Sequence, residues 1–291
     1  MSAPMAEMAP VRFGDLEVAR VEEMIWTVSP RYLYAGIANE RFEPYRDWLV
    51  PHFSTEDFKW RLSIHTFVVR TPHHTIVVDT CVGNDRNRSL PIWNQMRTDF
   101  PERLAAAGVV PEEVDYVFCT HMHVDHVGWN TRLEDGRFVP TFPNAKYLFH
   151  RTEWEHWKET EEEIQAEVVK DSILPIVDAG LAEMVESDHV IEDGVRLQST
   201  PGHTPGHCSL ALGAGDAEDA VITGDLIHHP FLVAEPDWPS RVCWDPAMAA
   251  RTRREFVERY ADTATRVLGT HFAPPTAVRI ESGPAGCRVT F

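Results

Sequence analysis

The chain has 291 residues and a formal charge of −18, from 27 Lys and Arg against 45 Asp and Glu. Its 43% hydrophobic and 25% charged residues are typical of a soluble globular protein, and the length suits one large α/β domain or two smaller ones. So acidic a surface repels phosphate backbones, which disfavours a nucleic-acid partner. The sequence contains no run of about 18 apolar residues, so it predicts no membrane span.

The five cysteines are widely spaced, and none forms a CxxC pair. An odd number of cysteines without close pairs predicts free thiols in a reducing compartment rather than a disulfide framework. The first twelve residues carry Glu7 where an export signal needs an apolar segment. We therefore expect no signal peptide and a cytoplasmic protein.

In the first half of the chain, the apolar pattern predicts strands that alternate with helices. Strands are expected over residues 17–27, 61–70, 75–80, 114–119 and 142–150, and helices over residues 100–107, 153–169 and 173–184. Between the first two strands, residues 30–60 carry eight aromatic side chains at no regular period. Two interpretations fit this aromatic segment: an irregular element that covers a sheet edge, or a lid or dimer arm beside a pocket.

The second half repeats this alternation. Strands are predicted over residues 194–199, 208–212, 220–224 and 266–270, with a helix over residues 247–260. Two runs of strands interleaved with helices predict an α/β fold, in which two sheets lie between helices within a single domain over residues 1–291.

Metal-ligand chemistry is concentrated in residues 120–128, which we call the His-Asp loop. His121, His123, Asp125 and His126 stand within six positions, directly after a predicted buried strand. Open α/β sheets keep their ligand sites at the carboxyl ends of strands. The spacing allows His121 and His123 to converge on one ion and Asp125 and His126 to hold a second. Asp79, at the end of another strand, is expected to orient this loop.

Three later strands also run through small residues into a ligand-type side chain, namely His203, Asp225 and His271. Small residues allow the backbone to approach an ion closely. Together with the His-Asp loop they supply about seven ligands, which is too many for one tetrahedral zinc and suits two ions that share a bridge.

Four motifs follow these strands: HMHVDH at residues 121–126, TPGHTPGH at 200–207, GD at 224–225 and GTH at 269–271. They resemble the signatures of the metallo-β-lactamase superfamily, and the resemblance extends from about residue 20 onward. It implies a four-layer αβ/βα sandwich. It also implies that one metal is held by His121, His123 and His203, the other by Asp125, His126 and His271, and that Asp225 bridges them.

Departures from other branches of that family narrow the implied reaction. Asp225 stands where β-lactamases of two subclasses carry Cys, and His123 stands where redox members carry Glu. The acidic composition also differs from the basic surface of tRNA-processing members. The remaining resemblance is to the lactonase, esterase and methyl-parathion-hydrolase branch.

The resemblance therefore implies a dinuclear hydrolase that acts on a small-molecule substrate, a lactone or an ester. Two divalent ions, foremost Zn²⁺ with Mn²⁺, Fe²⁺ or Co²⁺ as alternatives, would lower the pKa of a bridging water to roughly 7. The resulting hydroxide attacks the substrate, and Asp125 can hold its proton. The alternatives are a thioesterase, a phosphotriesterase, a weak β-lactamase, or a non-catalytic metal-binding or signalling protein on the same fold.

His228 stands three residues after Asp225, where related lactonases carry a Tyr that contacts the substrate carbonyl. An imidazole can donate a hydrogen bond to a developing oxyanion, so we expect His228 to be catalytic together with Asp125. Trp129 and Trp244 are interpreted as core residues, with a pocket-lining position as the alternative. His207 is interpreted as a supporting group. A homodimer is the expected assembly.

Overall fold

The computed structural model describes residues 9–34, 36–215, 218–284 and 286–291. The interpretation that residues 1–12 carry no export signal falls mostly outside these ranges. Within them, no helix is both long enough and apolar enough to cross a bilayer. The strands, in chain order, are β1 (Val11–Phe13), β2 (Leu16–Val28), β3 (Trp60–Arg70), β4 (Thr75–Val78), β5 (Tyr116–Phe118), β6 (Thr131–Glu134), β7 (Arg137–Pro140), β8 (Lys146–His150), β9 (Ala182–Val185), β10 (Val190–Glu192), β11 (Val195–Ser199), β12 (Cys208–Leu212), β13 (Ala220–Ile222), β14 (Arg266–Leu268), β15 (Ala277–Glu281) and β16 (Arg288–Thr290). The α-helices are α1 (Arg46–Leu49), α2 (Phe100–Ala106), α3 (Arg151–Trp157), α4 (Glu163–Val168), α5 (Leu174–Asp178), α6 (Phe231–Ala234) and α7 (Pro246–Tyr260).

The described residues form two compact units. The first unit comprises residues 9–24 and 64–186, and the second unit comprises residues 25–63 and 187–291. The chain passes from one unit to the other within β2, within β3 and after β9.

The first unit is built on strands of a seven-stranded sheet with the order β1-β2-β3-β4-β5-β8-β9. Strands β4, β5, β8 and β9 run parallel to one another, whereas β3 and β4 pair antiparallel. Their central side chains, such as Val77, Val117 and Leu148, have no exposed surface, as expected for parallel strands. The His-Asp loop leaves the carboxyl end of β5, between β4 and β8. The predicted strand and the predicted position of the loop at its end are both confirmed.

Two predicted helices of the first unit are wrong in extent. The helix predicted over residues 153–169 divides into α3 and α4 and continues as a π-helical turn over Val169–Ile173. The break lies in an acidic run, and it allows side chains from both helices to contact the His-Asp loop, as described below. The helix predicted over residues 173–184 ends at Asp178, because Gly180 adopts a φ of +71° and the chain then joins β8 as β9.

In the second unit, a seven-stranded sheet has the order β10 to β16, mostly antiparallel, with β13 and β14 parallel. Residues 30–60 supply much of the hydrophobic core of this unit: Phe42, Phe53 and Trp60 have no exposed surface. Trp60 stacks on the His229 ring with centroids 4.2 Å apart. Residues 30–60 are thus an irregular segment that packs into the core of the second unit, and the coverage of a sheet edge stays a prediction. The lid or dimer arm stays a prediction.

Gly128 closes the His-Asp loop at a point where two backbone segments meet. Its amide donates to the Cys81 carbonyl across 2.8 Å, and a Cβ at this position would lie 1.8 Å from the Val82 carbonyl oxygen. Only glycine permits this approach, because any side chain would collide with backbone that has no room to rotate away.

We expect Gly128→Ala to lower the free energy of unfolding by more than Gly136→Ala does. Gly136 lies in the β6–β7 turn at a φ of +78° with open space around it, so alanine there adds only backbone strain of roughly 1–2 kcal/mol. Gly128→Ala adds a steric collision, for which overpacking typically costs about 1–3 kcal/mol or more. Urea unfolding of both variants measures the difference, and equal losses would contradict the close approach.

Candidate metal centre

Asp79 organises the His-Asp loop in the first unit. It lies just after β4 at a positive φ of 56°, a conformation that aspartate tolerates better than most residues. Its carboxylate accepts hydrogen bonds from the Thr120 amide at 2.8 Å, from the Thr120 hydroxyl at 2.9 Å and from His126 Nδ1 at 3.0 Å. Asp79 is almost fully buried, so these bonds compensate for its desolvation. The expectation that Asp79 orients the loop is confirmed.

The backbone of the same loop is held at Met122 from two sides. The Met122 amide donates to the buried Glu153 carboxylate of α3 at 3.2 Å, and the Met122 carbonyl accepts from Gln165 of α4 at 2.6 Å. Glu153 also accepts from the Trp157 indole at 2.9 Å. The interruption between α3 and α4 therefore places two polar side chains on one residue of the loop.

These contacts bring the predicted ligands of the first unit together in two pairs. One ring nitrogen of His121 and one of His123 lie within 4.8 Å of each other. His126 Nε2 lies 3.6 Å from the Asp125 carboxylate. His121 and His126 are fully buried, whereas His123 and Asp125 are half-buried. The pairing matches the one predicted from the spacing of the motif.

In the second unit, the Asp225 carboxylate is the meeting point of three imidazoles. His203 Nε2 and His228 Nε2 each lie 3.2 Å from its Oδ2 atom, and His271 Nε2 lies 2.9 Å from its Oδ1 atom. All four side chains are almost fully buried. The two other predicted ligands of this unit, His203 and His271, are therefore brought to Asp225. His228 joins them.

The second ring nitrogen of these histidines is also engaged. His271 Nδ1 donates to the Ser63 carbonyl at 2.9 Å, and His203 Nδ1 lies 3.5 Å from Cys243 Sγ. Burial alone would lower the pKa of His203, but the Asp225 carboxylate and Cys243 together raise it to about 9. A metal that binds His203 must displace the proton that this electrostatic environment favours, so metal binding here releases protons.

The donor chemistry of the site fits a divalent cation. A carbonyl oxygen only accepts, so the proton of a neutral His271 lies on Nδ1, and its Nε2 lone pair faces Asp225. Likewise, His126 gives its Nδ1 proton to Asp79 and turns its Nε2 lone pair toward Asp125. A lone pair opposite a carboxylate is unfavourable unless a cation or a further proton lies between them. Histidine ligands of zinc are oriented in this way by acceptors at their second nitrogen.

His207 supports the site and uses both ring nitrogens to do so. Its Nδ1 donates to the Thr200 carbonyl at 3.0 Å, and its Nε2 accepts the Asp225 amide at 2.9 Å. The structure therefore agrees with the interpretation of His207 as a supporting group, because no ring lone pair is left to bind a metal.

Helix α7 contacts the loops that carry His203 and Asp225. Gly202 packs so closely on the start of α7 that a Cβ there would lie 2.3 Å from the Ala249 nitrogen. The Trp244 amide, just before the helix, donates to the His203 carbonyl at 2.8 Å. From the middle of α7, the buried Arg253 donates to the Leu226 carbonyl at 2.9 Å.

Sequence reasoning missed Tyr34 as a site residue. Its hydroxyl lies 3.0 Å from His228 Nδ1, and both side chains are buried. Burial raises the pKa of the Tyr34 phenol well above its usual range and lowers the pKa of His228 to about 4, although Asp225 opposes the latter shift. Only the position of Tyr34 in the aromatic segment hinted at this contact, and that position does not specify which aromatic residue reaches the site.

Trp129 and Trp244 differ in their surroundings. Trp129 is buried, stacks on Phe100 and donates its indole N–H to Glu23 at 2.7 Å, so its interpretation as a core residue agrees with the structure. Trp244 is 51% exposed, so its interpretation as a core residue is wrong. It directly precedes the Asp245 cap of α7, and the capped turn leaves its side chain on the outside of the second unit.

Residues 60–257 match the model of the metallo-beta-lactamase superfamily. The match covers more than half of the 291 residues, and the chain belongs to this superfamily. The structure of the hydrolase AbOPH, described as a member of the beta lactamase superfamily, superposes with a TM-score of 0.79 at 24% identity and covers 99% of this chain and 98% of its own. AidC, a dizinc quorum-quenching lactonase, has a TM-score of 0.80 at 19% identity over 97% of this chain and 96% of its own. The predicted α/β fold of this superfamily is confirmed.

Curated relatives match over a shorter span. An N-acyl homoserine lactonase from a Bacillus species is 33% identical over 122 residues, which is 42% of each chain. The N-acyl homoserine lactonase AttM of Rhizobium radiobacter is 29% identical over 135 residues, which is 44% of this chain and 46% of the relative. The chain thus matches less than half the length of these relatives.

We expect Asp79→Asn to weaken divalent metal binding about 10–100-fold, the usual effect of removing the partner of a ligand histidine. Asparagine has one acceptor oxygen, whereas Thr120 and His126 bring donors to both oxygens of Asp79. In the variant, a donor from Thr120 or His126 must therefore face the NH₂ group of the introduced amide. Competition with a chromophoric chelator measures the affinity.

Asp115→Asn is the matched control for this experiment. Asp115 is exposed, and its carboxylate accepts the Thr75 amide at 2.8 Å rather than a donor from the His-Asp loop. An Asp79→Asn protein that binds metal as tightly as Asp115→Asn would show that Asp79 has no role in orienting the ligands.

Proposed function

We propose that the chain is a dinuclear metal-dependent hydrolase in which the ligands of both units serve one centre within a single domain over residues 1–291. Membership of the metallo-β-lactamase superfamily and the agreement of all seven candidate ligands with its motifs support this proposal. The proposed ligands are His121, His123 and His203 for one ion, Asp125, His126 and His271 for the other, and Asp225 for both.

One observation carries the proposal more than the others. His271 and His126 both hold their Nδ1 proton on a fixed acceptor and present Nε2 to a carboxylate. The same two carboxylates, Asp225 and Asp125, stand in the motifs whose resemblance to the family implies metal-ligating aspartates. Because a lone pair opposite a carboxylate needs a cation or a further proton between the two groups, the arrangement supports a bound metal ion.

The side chains around the ions have separate roles in the proposed reaction. When bound, two zinc ions, or manganese, iron or cobalt in their place, would polarise the substrate carbonyl and lower the pKa of a water to roughly 7. Asp125 would accept the proton of the attacking water. His228 would donate a hydrogen bond to the oxygen on which negative charge develops, and general acid or base groups in such positions typically contribute about 10²–10⁴-fold.

The proposed substrate is a small molecule with a lactone or ester bond. Relatives named N-acyl homoserine lactonases support this class, as does the carboxylate at Asp225 in place of a thiolate. The described cysteines form no disulfide with one another, which supports the proposal of a reducing, cytoplasmic location. We also propose a homodimer without a nucleic-acid partner, on the basis of the aromatic segment and the charge of −18.

We expect about two divalent ions per chain in protein purified without chelators, and about one or fewer in Asp225→Ala. Removal of a bridging carboxylate deletes one ligand from each ion, which weakens both sites. Elemental analysis measures the stoichiometry, with Asp237→Ala as a surface control because Asp237 pairs with Arg254 at the exterior. A stoichiometry of one that Asp225→Ala leaves unchanged would exclude the dinuclear centre.

We expect zinc- or manganese-loaded protein to hydrolyse lactones and aryl esters faster than thioesters, a cephalosporin or a phosphotriester. The panel compares kcat/KM for the five classes with wild-type, Asp125→Asn and Asp237→Ala proteins. Asp125→Asn should lose activity because it can neither hold the proton nor bind the ion as strongly. Preference for another class would reassign the substrate, and absence of turnover in fully loaded protein would favour a non-catalytic metal binder.

A further inference from the structure

Tyr34 and His228 form a buried hydrogen bond next to the proposed bridging carboxylate. The Tyr34 hydroxyl lies 3.0 Å from His228 Nδ1, and His228 Nε2 lies 3.2 Å from the Asp225 carboxylate. Tyr34 has no exposed surface, and His228 is 2% exposed. The phenol, the imidazole and the carboxylate therefore form a continuous chain of polar groups.

The positions of the protons along these three groups follow from the chemistry of Asp225 at one end and of Tyr34 at the other. The Asp225 carboxylate is negatively charged and only accepts, so it favours a proton over a lone pair on the His228 nitrogen that lies 3.2 Å away, wherever the partner at Nδ1 leaves that choice open. A neutral His228 then carries its proton on Nε2, and its Nδ1 is an acceptor. The Tyr34 hydroxyl can satisfy an acceptor, since it has a proton of its own. The opposite arrangement would place the Nε2 lone pair against the carboxylate.

His228 differs in this respect from the proposed ligand histidines. His271 faces the Ser63 carbonyl and His126 faces the Asp79 carboxylate, and both of these partners only accept. Acceptors at Nδ1 leave the Nε2 lone pair available to a metal, whereas a hydroxyl at Nδ1, which can donate, allows the proton to lie on Nε2. The partner at Nδ1 thus distinguishes His228 from His126 and His271.

We propose that Tyr34 is a positioning residue that holds His228 as the Nε2–H tautomer, so that His228 donates a hydrogen bond at the centre instead of binding a metal. This inference rests on the proposed function in taking Asp225 as a metal ligand. The Tyr34 phenol would keep the proton on His228 Nε2, and this N–H is the donor that the substrate oxygen would meet. His228 would then act as a tyrosine hydroxyl does, because it would donate a hydrogen bond and would not bind the ions.

The first test reads the tautomer directly in zinc-loaded wild-type protein. Nitrogen-15 NMR of the histidine rings, with His228 assigned from the signals that disappear in His228→Gln, should show a protonated Nε2 and an unprotonated Nδ1. His228→Gln should also keep about two ions per chain. A His228 that is protonated on Nδ1, or whose replacement removes an ion, would overturn the proposal.

The second test removes the phenol oxygen alone. In Tyr34→Phe, His228 should show a mixture of tautomers, and kcat should fall about tenfold, the scale of one buried hydrogen bond, with a smaller change in KM. Tyr45→Phe is the matched control, because Tyr45 lies in the same aromatic segment and donates instead to Glu235 at 2.8 Å. A Tyr34→Phe protein with the wild-type tautomer and the wild-type kcat would contradict the role of Tyr34.

The two hypotheses fail in different ways. If the Nε2–H tautomer is found but loaded protein turns over no substrate, the proposed function is wrong and the assignment of Tyr34 stands. If loaded protein is active and His228 binds a metal, the assignment of Tyr34 is wrong and the proposed function stands. The wild-type spectrum decides the tautomer even if Tyr34→Phe does not fold.

Discussion

The burial of the Asp225 carboxylate is the constraint on which the second unit is arranged. A carboxylate without water is costly unless charges or donors surround it, and here three imidazoles approach within 3.2 Å. Each imidazole is held through its other nitrogen by a residue from a different part of the chain. The ends of β11, β13 and β14 therefore have little freedom, because a shift of any one of them would separate the buried carboxylate from at least one of these imidazoles.

Asp79 has the same role in the first unit, with one difference. It is saturated by donors from Thr120 and His126, so it stabilises the His-Asp loop without facing an open coordination position. The Asp225 amide donates to His207, and the Asp225 carboxylate faces the Nε2 atoms of three imidazoles. The two buried aspartates therefore differ in role. Asp79 orients the candidate ligands, whereas the oxygens of Asp225 are directed toward the proposed ions.

The sequence predicted the strands that carry these residues, because apolar runs that end in small residues are short-range signals. It did not predict the break between α3 and α4, since the hydrophobic period continues across it and the deciding contacts at Met122 are tertiary. The contact of Tyr34 with His228 joins residues 194 positions apart and leaves no local pattern. Motif spacing identifies candidate ligands, but the tautomer of each imidazole depends on partners that only the folded chain brings close.

Helix α7 has a consequence for how the second unit opens. Its first turn packs on Gly202, and Arg253 from its middle holds Leu226, so one helix is in contact with both the His203 loop and the Asp225 turn. Fraying of this helix would release both segments in a single subglobal opening. Amide protons around His203 and Leu226 should therefore exchange with deuterium at the rate of the helix itself. Metal exchange and hydrogen exchange would then report the same opening event.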